Sequence, residues 1–337
     1  MDLAFSLDQS VLFEAFEQFF RRESPSAVVR RSEPLGFDAD LWALFNTMEV
    51  WGSDATLADL SVIAEAVGRS IAPVPFVDHA VVARLLSWPD LVSGVSIGSM
   101  SLRPCDSRGV WPLVPCGAVA DVVVGMHGDE FVAVSAPAPQ HAQRNHACAP
   151  LADRSASLGE RIVIGGRDEF DVALAEWKTL TAATLAGIAA EALDMAVEYV
   201  KERHQFGVPI GSFQSVQHGL ADLPGRIDGA RLLVHQAASG LDPGIAGVCD
   251  AATDDITDGR ALASMALLFA GDIARDVTDR SLHFHGGYGF AEEYDIQLYY
   301  RRARGWALVL GDPAAQYLEL ADRLWPSQRT TDAMAPR

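Results

Sequence analysis

Positive charge is scarce in this sequence. Its 337 residues hold 26 Lys and Arg against 45 Asp and Glu, a net charge of −19. Nucleic-acid binding rewards clustered Lys and Arg, so no nucleic-acid partner is expected, and any anionic ligand has to be met by a local basic patch. Cysteine is scarce too: Cys105, Cys116, Cys148 and Cys249, with no C-x-x-C pair among them. A chain of this length does not need a disulfide framework, and a reducing cytoplasm is the expected setting. No apolar run reads as long enough to span a bilayer. The N-terminus MDLAFSLDQS lacks the basic region and apolar core of a secretory signal, so no membrane partner is expected. His141, His146 and Cys148 lie close in sequence, as do His283 and His285, but neither spacing is a zinc pattern, and no metal is expected.

Familiar catalytic signatures are missing as well. There is no G-x-G-x-x-G between a strand and a helix, no Walker A sequence, no G-x-S-x-G elbow and no H-E-x-x-H. On those grounds alone the chain reads as a helical protein without an active site of its own.

What is present falls into three blocks. Over residues 1–90 the apolar spacing is helical: Val11, Leu12, Ala15, Phe16, Phe19 and Phe20 recur on one face, and Leu57, Leu60, Ile63, Ala64 and Val67 on another. Gly68, Pro73 and Pro75 end that second pattern. Residues 91–170 switch to short apolar runs, VSIGSM, AVADVVVGM, EFVAVS and RIVIGG, broken by Gly, Pro, Ser and Asp, which predicts a small β domain. The segment APAPQHAQRNHACAP reads as an irregular loop. Residues 171–327 return to helical stripes, at Leu185, Ile188, Ala192, Leu193, Ala196 and Val200, and at Leu262, Met265, Ala266, Phe269, Ile273 and Val277. Stripes of that length predict a helical bundle, and residues 328–337 read as a loose polar tail. The fold class is therefore α+β, ordered helical, β, helical.

Two short stretches carry more than fold requires. Residues 201–214 read KERHQFGVPIGSFQ, and residues 283–304 read HFHGGYGFAEEYDIQLYYRRAR. A helix end needs a glycine and a proline; it does not need a cation, two amides and an aromatic ring beside them. The two stretches, in this order and roughly eighty residues apart, resemble the acyl-CoA dehydrogenase family, and AEAVGRSIAPVPF resembles that family's N-terminal helical domain. The resemblance covers most of the chain and is weak across the β domain. It implies a helical N-terminal domain, a middle β domain, here shortened, and a C-terminal four-helix bundle, holding FAD at a subunit interface in a tetramer. It also implies site residues. Arg203 would pair with the pyrophosphate of a neighbour's FAD, Phe206 would pack near its adenosine, and Gln205 and Gln214 would supply amide contacts. Gly286 and Gly287 would let backbone N–H groups approach the cofactor. His283 stands where a glutamine is common and keeps a donor.

The same resemblance exposes losses. The family's catalytic glutamate belongs in an E-G-T turn; here the sequence is WALVLGDPAAQ, with Leu310 in the glutamate's place and Asp312 in the threonine's. Some relatives carry the base on the helix after the QFG corner, but no glutamate occurs from 203 to 291, and Asp222 and Asp228 are shorter and out of register. The T-E-P-x-A-G-S-D-like loop and W-I-T-like strand that cover a chain's own flavin are missing, SLRPCDSRGVWPLVPCG standing there instead. The residues that serve a neighbour's FAD stay and those that serve the chain's own chemistry go. That sorting implies a non-catalytic subunit of a heteromeric acyl-CoA dehydrogenase, resembling the α2β2 enzymes of actinobacterial sterol breakdown. A catalytic paralogue would be the partner and would bind most of the acyl-CoA. Two alternatives stand beside it: a self-sufficient flavoenzyme with an unusual base such as Asp312, and a flavin-free binding scaffold. Arg231, in DGARLL, matches an arginine the family keeps near the acyl site and reads equally as a surface ion pair. The basic stretch YYRRARGW at 299–306 reads as a brace of the bundle or of a partner interface.

Overall fold

The computed structural model describes residues 6–51, 55–242 and 258–325. Cys249 and the expected tail at 328–337 lie outside the described residues. The N-terminal helices are α1 (Leu7–Glu23), α2 (Ser26–Arg31), α3 (Ala39–Asn46), α4 (Leu57–Arg69), α5 (Phe76–Leu86) and α6 (Pro89–Val92). Their starts are encoded locally: Ser6 with Gln9, and Thr56 with Asp59, form reciprocal capping boxes on α1 and α4. Every apolar residue of the expected stripe on α4 is buried.

The middle block holds β1 (Gly98–Met100), β2 (Val110–Val114), β3 (Val122–His127), β4 (Glu130–Ser135), β5 (Ala152–Ser155) and β6 (Glu160–Gly165). One sheet runs β1-β3-β4-β6, with β1 parallel to β3 and the remaining pairs antiparallel; β2 and β5 form a separate antiparallel pair. Arg154 on β5 is buried and donates to the carbonyls of Gly117 (2.9 Å) and Ala136 (2.9 Å), pinning the loops between the two sheets.

The C-terminal block begins with the long α7 (Arg167–Glu202). A two-residue-per-strand hairpin follows, β7 (His204–Gln205) and β8 (Val208–Pro209), then α8 (Gln214–Ala221), α9 (Leu223–Leu241), α10 (Gly259–His285), α11 (Ile296–Ala307) and α12 (Pro313–Leu324). Helix α7 corrects one expectation. It carries an 18-residue window apolar enough to cross a membrane, and 78% of that window is buried inside the protein. Its apolar surface is consumed by packing on α4, α9 and α10, and the run is inconspicuous because Ala and Thr, not large apolar side chains, make up much of it.

Helices α4 and α7 touch backbone to backbone. A Cβ on Gly68 would stand 2.0 Å from the Thr184 carbonyl oxygen, and one on Gly187 would stand 2.1 Å from that of Glu65. Asp242, at the end of α9, accepts from the Leu57 N–H at 2.9 Å and so anchors the N-terminus of α4 to the bundle. The N-terminal helices and the bundle are one packed body. The basic stretch at 299–306 contributes: Arg301 (2.8 Å) and the buried Arg302 (3.0 Å) both donate to Glu33.

Candidate functional site

The corner after α7 is a tight hairpin. Gln205 pairs with Val208, leaving Phe206 and Gly207 as a two-residue loop with φ of +54° and +83°. Two successive positive φ values make a type I′ turn, for which Asn-Gly is the preferred pair. A phenylalanine there carries backbone strain of about 1 kcal/mol. Its ring is also 95% exposed, with the Phe213 ring edge-on to it at 6.3 Å between centroids. A strained backbone holding a bare aromatic ring in solvent has no rationale in the stability of this chain alone.

The second motif meets this corner through aromatic contacts. Tyr199, on the last turn of α7, stacks on His285 at the end of α10, with centroids 4.2 Å apart and planes at 24°. One turn on, the Arg203 guanidinium lies over the Tyr288 ring, 5.3 Å from its centroid. Residues four apart at the end of α7 thus grip residues three apart at the end of α10. The His285 ring is held by Nδ1 donating to the Ser281 carbonyl at 2.7 Å, and burial pushes its pKa down, keeping it neutral in the stack. Tyr199 and His285 were not among the sequence candidates; an aromatic one helical turn before Arg203 is the signal that could have found them.

Gly286 has φ +62° and ψ −142°, a region closed to other residues, and continues into a 3₁₀ turn over Gly286–Phe290. Gly287 has no such backbone demand, and a Cβ on either glycine, or on Gly207, would meet nothing within 4 Å. Gln205 is exposed and its amide folds back on the His204 carbonyl at 2.6 Å. Gln214 is the first residue of α8, exposed, directly after Phe213. His283 is exposed on the neighbouring turn of α10. The structure therefore gathers Arg203 and the glycine turn through Tyr288, and sets Phe206 beside the start of α8 through Phe213. Gln205 and Gln214 stand on the same segment, and no hydrogen bond among the described residues joins either to the glycine turn.

Other sequence candidates lie apart from this face. Asp312 caps α12, accepting from the Ala314 N–H at 3.0 Å. Leu310 packs against the core. Asp222 sits between α8 and α9, and Asp228 is taken by Arg231 at 3.0 Å. Arg231 also donates from Nε (2.8 Å) and Nη2 (2.6 Å) to the buried Glu65, bracing α9 on α4. Among the described residues no three His, Cys, Asp or Glu side chains gather to hold a metal.

A second concave region lies between the middle block and α11. It is a cavity of about 470 Å³ whose lining includes Arg103, Leu113, His146, Tyr300, Arg304 and Leu308. Arg103 spans it, donating from Nη2 to the Val309 carbonyl at 2.8 Å. Among the described residues Arg103 has no carboxylate partner.

Residues 166–325 match the family described as acyl-CoA dehydrogenase, C-terminal domain. Over 325 residues the chain is 30% identical to acyl-CoA dehydrogenase IpdE2 of Mycolicibacterium smegmatis, covering 89% of this chain and 93% of that protein. The chain belongs to the acyl-CoA dehydrogenase family. IpdE2 of Mycobacterium tuberculosis is 27% identical over 95% of this chain and 98% of its own length. The ChsE4-ChsE5 complex of Mycobacterium tuberculosis shares the fold, with a TM-score of 0.81 over 100% of both chains at 21% identity. So does the Tcur3481-Tcur3483 steroid ACAD, at 0.80 and 24% identity over 94% of this chain and 97% of that one. The expected α+β architecture of helical, β and bundle blocks is thus the fold of an acyl-CoA dehydrogenase. Members of this oxidoreductase family use FAD. The glycine turn of this acyl-CoA dehydrogenase relative fits such a cofactor: it offers backbone with open space in front of it, beside a cation that no carboxylate pairs with among the described residues.

Proposed function

We propose that this chain is the non-catalytic subunit of a heteromeric, flavin-dependent acyl-CoA dehydrogenase, and that it completes the FAD site of a catalytic paralogue across their interface. The observation that carries this reading is the contact of Arg203 with Tyr288, which joins the two separated motifs into one exposed face. On that face Arg203 holds the pyrophosphate, the glycine turn at Gly286 and Gly287 approaches the cofactor with its backbone, and Phe206 covers the adenosine side. Gln205 and Gln214 supply amide contacts. FAD, when bound, supplies the hydride acceptor for α,β-dehydrogenation of a CoA thioester; the base is the partner's.

The inward cleft supports the same division of labour. Arg103 stands in the segment that replaces the flavin-covering loop, and Val309 precedes Leu310 in the turn that replaces the base. Their hydrogen bond crosses the space between them. Two of the structures that share the fold are the ChsE4-ChsE5 complex and the Tcur3481-Tcur3483 steroid ACAD. Those pairs support a paralogous partner and, from the second, a steroid-derived acyl group; the α2β2 stoichiometry is part of our proposal. Self-sufficient catalysis through Asp312 is the weaker reading, because its carboxylate is engaged as a helix cap.

Expression decides between them. The chain alone should be colourless or poorly soluble, and co-expression with a paralogue that carries the glutamate should give a yellow, active complex. A yellow, active oligomer of this chain alone overturns the proposal.

A further inference from the structure

Among the described residues three arginines lie over aromatic rings. Arg167 is 5.5 Å from the centroid of Phe170 and also pairs with Asp171 at 2.8 Å. Arg304 is 4.5 Å from the centroid of Tyr300 and also pairs with Asp279 at 3.2 Å. Arg203, 5.3 Å from the centroid of Tyr288, has the ring alone; among the described residues its guanidinium reaches no carboxylate and no carbonyl. Acidic side chains are not lacking nearby. Glu202 precedes Arg203 in the chain, Glu292 and Glu293 follow the turn that carries Tyr288, and all three are exposed.

The place of the Tyr288 ring is built into the backbone. Its 3₁₀ turn begins at Gly286, with φ +62°. It comes to an end at the buried Gly289, where a Cβ would stand 2.6 Å from the Leu282 carbonyl oxygen. Any other residue is strained at the first position and collides at the second. The Ala291 N–H then donates to the Tyr288 carbonyl at 3.1 Å, and the Tyr294 N–H to the Ala291 carbonyl at 3.2 Å. That folding sets the Tyr294 ring beside the Tyr288 ring, with centroids 5.4 Å apart and planes at 38°. The main chain of Arg203 is pinned as well: its N–H donates to the Tyr199 carbonyl at 2.9 Å and its carbonyl accepts from the Ile210 N–H at 2.8 Å.

We propose that Tyr288, with Tyr294 packed beside it, is the positioning residue for Arg203: its ring holds the guanidinium in place and leaves the N–H donors free for a diphosphate. This role rests on the proposed function and says how the chain readies that face. A carboxylate would hold the arginine more strongly, but it would neutralise the cation and would have to be displaced by the incoming anion. An aromatic face attracts a cation through the ring quadrupole and brings no lone pair to occupy its donors. A long side chain set in advance also surrenders less rotamer freedom when the cofactor arrives. The ring does this work, and the phenol hydroxyl is not needed for it.

The test titrates FAD into the co-expressed complex after its flavin has been stripped. Tyr288→Leu should weaken FAD binding by roughly threefold to thirtyfold, and Tyr288→Phe should keep it. Phenylalanine with three ring fluorines, incorporated at position 288, keeps nearly the same shape but loses the negative face, so it should behave as leucine does. A ring that only fills space would not respond to the fluorines. Should Tyr288→Leu disturb the turn, the comparison of the plain and fluorinated rings decides alone. In the Arg203→Ala background Tyr288→Leu should cost nothing further, because the ring acts through the arginine. The proposal is overturned if Tyr288→Leu leaves FAD affinity unchanged, if the fluorines have no effect, or if the loss on Tyr288→Leu persists in full without Arg203. If Arg203→Ala itself leaves FAD affinity unchanged, the proposed function fails and this role fails with it.

Discussion

The outward corner and the inward cleft of this protein are built by opposite rules. At the corner, Arg203 has an aromatic ring but no carboxylate among the described residues, Phe206 is strained and stands in solvent, and three glycines face open space. At the cleft and in the turn beside it, Arg103 is tied across to Val309, Asp312 is spent on capping a helix, and Leu310 packs against the core. Among the described residues Arg203 and Phe206 at the corner are left without a charged or packed partner, whereas Arg103 and Asp312 are engaged within the chain. Unsatisfied, strained and exposed groups are what an interface requires before its partner arrives. Groups engaged within the chain are what the proposed division of labour expects on the side that does no chemistry of its own.

Three substitutions test this contrast, beginning with the largest effect. Arg231→Ala leaves the buried Glu65 carboxylate without its cation, which should cost about 3 kcal/mol or more of stability. Denaturant unfolding measures it, and the flavin content of whatever complex still folds should be unchanged. A loss of flavin with stability intact would instead place Arg231 at the ligand site. Arg203→Ala should behave in the reverse way. The charge-assisted contacts it loses are worth about 1.5–3 kcal/mol, or roughly tenfold to a hundredfold in flavin retention by the complex, while the melting temperature of the chain stays put. If bound flavin does not change, the chain is a flavin-free scaffold. Phe206→Asn gives the turn the Asn-Gly pair that its backbone prefers. The chain should gain about 0.5–1 kcal/mol and its complex should lose affinity, read by denaturation and by titration of the partner. A gain in both would mean that Phe206 serves only the hairpin.

The legibility of the sequence was uneven for physical reasons. Helix α4 could be read because its apolar residues keep a 3.6-residue rhythm and Thr56 and Asp59 mark its start. Strands β1, β3, β4 and β6 could be read as apolar runs between turn residues. Strands β2 and β5 could not, since VWPLV contains a proline and ADRS is polar; their pairing is imposed by tertiary contacts such as those of Arg154. The residues of the corner were legible as a motif, but not as a hairpin, because a phenylalanine in the left-handed region contradicts local preference. Tyr199 and His285 were invisible for a different reason. Nothing in either helix alone tells that their ends converge. The role of Arg231 depends on Glu65, 166 residues away, and no local pattern carries that pairing.

The glycine contacts between α4 and α7 have one more consequence. With Gly68 seated on Thr184 and Gly187 on Glu65, neither helix can slide or rotate without a collision of main-chain atoms. The end of α7, from which the whole outward face is hung, is therefore fixed relative to the N-terminal helices before any encounter. In the proposed heteromer this chain would then dock as a finished shape, with little conformational entropy of its own left to surrender.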